Sequence, residues 1–145
     1  MELNMISYES IGPIKLGMTR DQIRSVLNSK VTEFKKTQWD ENTTDSFDEL
    51  GIHVFYKAGH ICEAVEVSEP ANPTFNGNKL VGIPFKQVRQ FLQKYDKDLS
   101  IDTDGIISEV LGISLYIDGV DDEEKEQVQS VMFFEKGYYD DLLSV

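Results

Sequence analysis

The stretch IKLGMTRDQIRSVL, residues 14–27, returns later in the chain as KLVGIPFKQVRQFL, residues 79–92. With Gly17 set against Gly82, Gln22 meets Gln87, Ile23 meets Val88, Arg24 meets Arg89 and Leu27 meets Leu92. Two more matches follow in the same order. LGIHVF (50–55) matches LGISLY (111–116), and EAVEV (63–67) matches QSVMF (129–133). Three ordered matches at nearly constant separation read as an internal duplication.

Each copy predicts a helix followed by strands. Thr19 suits an N-cap, because its hydroxyl can accept from free N–H groups of the first turn. Asp21 favours the positive end of the helix dipole. Ile23, Val26 and Leu27 then fall on one helical face, as do Val88, Phe91 and Leu92 in the second copy. Pro84 suits the first turn, where its missing N–H costs little. Gly17 and Gly82 are read as the bends that lead into the helices. Gly51–Tyr56 and Ile61–Val67 are predicted strands joined by a hairpin turn at Lys57-Ala58-Gly59-His60. Gly112–Ile117 and Gln127–Phe134 are the equivalent pair, with Val31–Phe34 and Leu99–Thr103 as one extra strand per copy. Ser68–Asn78, with Pro70, Pro73 and Gly77, reads as a linker. The expected fold is α+β: two tandem repeats, 1–72 and 73–145, each a short helix followed by antiparallel strands. The helices would pack on small sheets that share a core or join into one sheet.

The LGMT motif resembles a known opening. Ile14-Lys15-Leu16-Gly17-Met18-Thr19, followed by Gln22-Ile23 and Leu27, is similar to the start of the SmpA/OmlA outer-membrane assembly lipoproteins. That family packs a helical part on a small antiparallel sheet. Two such lobes in tandem resemble the β-lactamase inhibitory proteins. The resemblance implies a bacterial, non-enzymatic, protein-binding scaffold. The chain departs from both families: it has no lipobox cysteine, and its single Cys62 rules out the internal disulfides of the secreted inhibitors.

Charge narrows the partners. Fourteen basic residues against 26 acidic ones give a net charge of −12. The excess is spread, with 7 basic and 12 acidic residues in 1–72 and 7 and 14 in 73–145. Neutralising phosphates needs clustered Lys and Arg, and the longest basic run is Lys35-Lys36. Nucleic acid and anionic membranes are therefore not expected partners. A basic protein fits the field better. The start MELNMISYES has neither a basic nor a long apolar region, so a cytoplasmic protein without a signal peptide is expected. The lone cysteine agrees with a reducing compartment.

Catalytic motifs are absent. No nucleotide-binding glycine pattern, nucleophile elbow or paired metal-ligand spacing occurs. His53, His60 and Cys62 are the nearest approach to a metal site or a Cys–His dyad, and the hairpin reading scatters them. Asp98 to Gly105 has some calcium-loop spacing, but Leu111 stands where the bidentate glutamate belongs. Asp121-Asp122-Glu123-Glu124 reads as a solvated loop. No cofactor, metal or catalytic residue is expected. On a strand Phe133 and Phe134 point to opposite faces, so both faces should be covered or one sticky. Tyr138 and Tyr139 beside Asp140 and Asp141 suit the rim of a site that grips a basic protein, with Trp39 and Tyr116 as further aromatic anchors. The expected function is a non-catalytic protein-binding module, in its sharpest form an immunity or inhibitor protein acting on a basic partner. The alternatives are a self-associating accessory protein and an enzyme built on an unrecognised carboxylate pair. The oligomeric state is left open.

Overall fold

The computed structural model describes residues 1–102, 104–117 and 124–139. Strands β1 (Glu2–Ile6), β2 (Ser10–Ile11) and β3 (Ile14–Lys15) precede helix α1 (Arg20–Leu27). Strands β4 (Thr32–Phe34), β5 (Thr44–Phe47), β6 (Ile52–Lys57) and β7 (Ile61–Ser68) follow. Next come β8 (Asn72–Phe75), β9 (Asn78–Lys79) and helix α2 (Phe85–Leu92). Strands β10 (Ser100–Asp102), β11 (Gly105–Ser108), β12 (Ile113–Tyr116) and β13 (Ser130–Phe134) complete the order.

This corrects the α+β expectation. The described residues are mostly β: thirteen strands form two sheets of five and eight, with two eight-residue helices. The larger sheet runs β10-β11-β12-β13-β7-β6-β5-β4. It is one continuous surface, not a pair of small sheets under helices. Its central pair, β13 and β7, is antiparallel, with Val131 opposite Val67 and Phe133 opposite Val65. The smaller sheet, β3-β2-β1-β8-β9, is built from the segment ahead of α1 and from the segment read as linker. Within it β8 pairs in parallel with β1, Leu3 opposite Pro73, so the expected linker is a strand.

The local signals mostly hold. Thr19 caps α1 in a capping box: its hydroxyl accepts from the Gln22 N–H, and the Thr19 N–H donates to Gln22 Oε1 at 3.0 Å. The β6–β7 turn carries Gly59 and His60 at φ 82° and 57°, a left-handed pair that lets the strands fold back in register. The buried face of α1 is narrower than the apolar spacing predicts. Ile23 and Leu27 are buried, whereas Val26 is 47% exposed, because a helix this short meets its neighbours along a narrow stripe.

The strands of the large sheet alternate sides, as their pleat requires. Ile52, Val54, Val65, Val67, Val131 and Phe133 face inward and are fully buried. They form one cluster with Ile23 and Leu27 of α1, Val88 and Leu92 of α2, and Leu3 and Met5 of β1. The opposite face of the sheet is left to a separate, smaller set of side chains. Among the described residues no helix is long and apolar enough to cross a membrane.

Candidate functional site

The outer face of the large sheet carries the exposed chemistry. Residues one position out of phase with the core face lie there in rows. One row runs His53, Glu66, Met132, Ser114, Ile107 across five strands. A second runs Phe55, Ala64, Phe134. Ala64 leaves room between two large rings, and these three form a second apolar cluster.

Phe134 anchors the tail. It stacks on Tyr138 with ring centres 5.9 Å apart, and it meets Tyr139 edge-on at 4.9 Å and Tyr8 at 6.3 Å. Phe133 and Phe134 thus point to opposite faces and both are covered, Phe133 by the main core and Phe134 by tyrosines. The rings also collect the protein's own cations. Lys36 Nζ lies 3.9 Å from the Phe55 ring centre, and Lys136 Nζ lies 5.5 Å from that of Tyr8.

Beside this cluster is a groove of about 240 Å³. Its walls include Glu66, Tyr116 and Tyr139, and its floor includes Ser114, Ser130 and Met132. Tyr139 Oη is 3.4 Å from Ser114 Oγ and 3.7 Å from Met132 Sδ, which places the tail along one side. His53 Nδ1 lies 3.6 Å from Glu66 Oε1 at the other. A few residues away, burial and the Glu135 charge push the Glu63 carboxyl above its ordinary range. Glu135 itself accepts from Lys57 Nζ at 2.8 Å. Burial, with Glu63 nearby, also raises the Tyr138 phenol, so it stays protonated.

The expected partner residues lie in different places. Tyr116 is 47% exposed on the groove wall, and Tyr138 and Tyr139 are half-buried against Phe134. Trp39 is 82% exposed in the β4–β5 loop, where its backbone N–H donates to Thr37 Oγ1. Asp40 braces the same turn by accepting from the Thr37 N–H at 3.1 Å, and it lines a second pocket together with Phe55. Asp140 and Asp141 lie outside the described residues, as do Asp121, Asp122 and Glu123.

Cys62 is fully buried, and burial pushes its thiol up to about 12, so it is no nucleophile at neutral pH. His60 is exposed in the turn. In the calcium-like segment Asp102 pairs with Gly105 across β10 and β11. Among the described residues no three His, Cys, Asp or Glu side chains are grouped to hold a metal ion.

Sequence reasoning missed a buried ionic network. Asp45, fully buried on β5, accepts from Arg24 of α1 and from the Tyr56 hydroxyl of β6 at 2.9 Å. Arg20 lies over the Tyr56 ring at 4.7 Å and donates to the Thr43 carbonyl at 2.8 Å. Arg24 continues to Glu33 on β4 at 2.6 Å. The network ties α1 to one edge of the sheet. Nothing in the run TDSF marks Asp45 as buried, and the pairing spans 21 residues.

Comparison with protein-family models, with curated proteins and with solved structures finds no match.

Proposed function

We propose that this protein is a non-catalytic binding module that holds a basic protein partner on the outer face of its eight-stranded sheet. The observation that carries the reading is the aromatic band there. Tyr116 is 47% exposed there, and Tyr138 and Tyr139 are half-buried on the buried rings of Phe55 and Phe134, in a chain of net charge −12. Aromatic side chains anchored on strands supply contact area at small entropic cost, and they dominate binding energies where they occur. A negative field steers a basic partner toward such a surface. The sharpest form is an immunity or inhibitor protein, which agrees with the resemblance of the LGMT segment to binding scaffolds.

The test is capture from native lysate with wild type and with Met132→Lys, which sets a like charge in the middle of the face. The expected result is one basic protein retained at low salt, released at high salt and not retained by the variant. If that protein is an enzyme or toxin, the wild type should suppress its activity. Equal capture by both chains would overturn the reading.

A second reading has its own observation. The large sheet ends in β4 and β10, with Thr32, Glu33 and Ile101 exposed, and open edges can pair with another chain. Self-association through them predicts a mass that grows with concentration in equilibrium sedimentation. A constant monomer mass would remove it.

A further inference from the structure

We propose that the groove between Glu66 and Tyr139 receives an arginine side chain from a basic segment of the partner. This rests on the reading of the outer face as the binding surface, and it specifies the chemistry at one point of that face.

Size comes first. Pockets for drug-sized ligands hold roughly 300–1,000 Å³. At about 240 Å³ and open to solvent, this groove suits one long side chain delivered by a protein segment. Charge comes second. Among the described residues that line it there is no Lys or Arg, whereas Glu66 is acidic. Glu66 is only 34% exposed, so its field is less screened than that of a surface carboxylate. A phosphate or carboxylate ligand would be repelled.

The third argument is the behaviour of the face itself. Two other rings of the face already hold cations, Lys36 over Phe55 and Lys136 over Tyr8. The groove repeats the chemistry with Tyr116 and Tyr139 and adds a carboxylate, with no cation of the described chain on its lining. Ser114 and Ser130 add hydroxyls on the floor that can accept from a guanidinium. Arginine fits this set better than lysine. Its flat guanidinium stacks on rings, forks to a carboxylate and sheds water more readily than an ammonium. Glu66 already accepts from the Ser130 hydroxyl and has His53 Nδ1 at 3.6 Å, so it is held in place before the guest arrives.

The experiment titrates the full chain with blocked hexa-arginine, hexa-lysine and hexa-citrulline peptides by calorimetry, and follows backbone amide shifts by NMR. The expected result is arginine binding about fivefold tighter than lysine, no binding of citrulline, and shifts centred on Ser114, Ser130 and Met132. Glu66→Gln and Tyr116→Ala should each weaken the arginine peptide about tenfold, or ~1.4 kcal/mol. Tyr116→Leu, which keeps apolar bulk but loses the ring, should weaken arginine more than lysine. Equal binding of the two basic peptides, indifferent to Glu66→Gln, would mean attraction by the overall charge alone and would overturn the proposal. The two readings fail separately. Partner capture abolished by Met132→Lys but untouched by Glu66→Gln keeps the binding face and sinks the arginine groove. Capture that ignores Met132→Lys sinks the face itself.

Discussion

Arg24 grips the buried carboxylate of Asp45 through both oxygens, Nε to Oδ2 at 2.9 Å and Nη2 to Oδ1 at 2.7 Å. This forked pair joins α1 to β5 and holds the Arg24 guanidinium firmly in its charged form. Asp45→Asn removes the charge and one of the two acceptor oxygens, which leaves Arg24 and the Tyr56 hydroxyl short of an acceptor and Arg20 without its nearby carboxylate. Breaking a fully buried pair costs roughly 3–5 kcal/mol; with Arg24 still 30% exposed, about 2–3 kcal/mol is expected here. Urea unfolding measures it. Tyr56→Phe should cost less, about 1 kcal/mol, and the double variant should fall short of the sum, because the two residues share one carboxylate.

Two glutamates give stability opposite dependences on pH. Glu33 is held below its ordinary range by the hydrogen bond from Arg24 and the charge of Arg20. The stability it contributes is present above the unfolded-state value and is lost as pH falls through the folded one. Glu63 is raised by burial and by Glu135, so its folded state holds the proton longer than the unfolded chain does. Stability therefore falls as pH rises through that interval. Glu33→Gln should flatten the acid limb of a stability–pH profile. Glu63→Gln should remove a decline on the weakly acidic side and leave the protein more stable at neutral pH. The reverse pattern would contradict both assignments.

Cys62 is predicted to be silent toward thiol reagents in the folded protein. Its side chain is fully buried on β7, and its thiol is pushed up to about 12 by burial. A chromogenic disulfide reagent should titrate no thiol in native buffer, even at mildly alkaline pH, and one equivalent in denaturant. Rapid native labelling would mean that β7 opens locally, and would reopen the question of a nucleophile.

What was legible in the sequence was local. Thr19 marked the helix N-cap, Gly59 with His60 the hairpin, and the adjacency of Phe133 and Phe134 the two-sided strand. What was illegible was anything set by long-range pairing. The alternation in β1, with Leu3 and Met5 buried between exposed neighbours, is only five residues long, and its partner β8 lies about 70 positions away behind two prolines. Polar β5 reads as loop because its side chains meet ions and hydroxyls, whereas β4 falls within the strand expected at Val31–Phe34. Missing these strands made the helices look like half of the architecture. At the proposed site, Tyr116, Tyr138 and Tyr139 stand out in the sequence as aromatic residues. Glu66 and Met132 needed the register of β7 against β13 to meet.

Gly51 is expected to tolerate no side chain. It takes φ 74° at the turn into β6, and a Cβ there would be driven into the Ser68 carbonyl oxygen, with Glu69 O at 2.9 Å. Its own carbonyl accepts from the Ser68 N–H at 2.9 Å, so the contact cannot open without losing a hydrogen bond. Gly51→Ala should cost about 3 kcal/mol from strain and crowding together. Gly17→Ala makes the control: at φ 90° it is strained too, but nothing lies within 4 Å of its added Cβ, so the loss should be about 1 kcal/mol. Equal losses would show that backbone strain alone sets the cost.

Phe134 is expected to be the clasp that holds the tail on the outer face. It is 2% exposed and meets Tyr8, Tyr138 and Tyr139, whereas its neighbour Phe133 packs into the other side of the sheet. Both Phe134→Ala and Phe133→Ala should cost about 3 kcal/mol, because each leaves a ring-sized cavity. They should differ in what they release. Phe134→Ala removes the ring under Tyr138 and Tyr139 but leaves the main core intact, so trypsin should cut after Lys136 faster than in wild type while the rest of the chain stays protected. Phe133→Ala loosens the main core and should raise cleavage throughout, in step with global unfolding. The sites are read by mass spectrometry at matched stability, reached by adding urea to the wild type. An unchanged rate after Lys136 in Phe134→Ala would mean that the Ser114 and Met132 contacts of Tyr139 hold the tail without the ring. The groove wall would then persist in that variant.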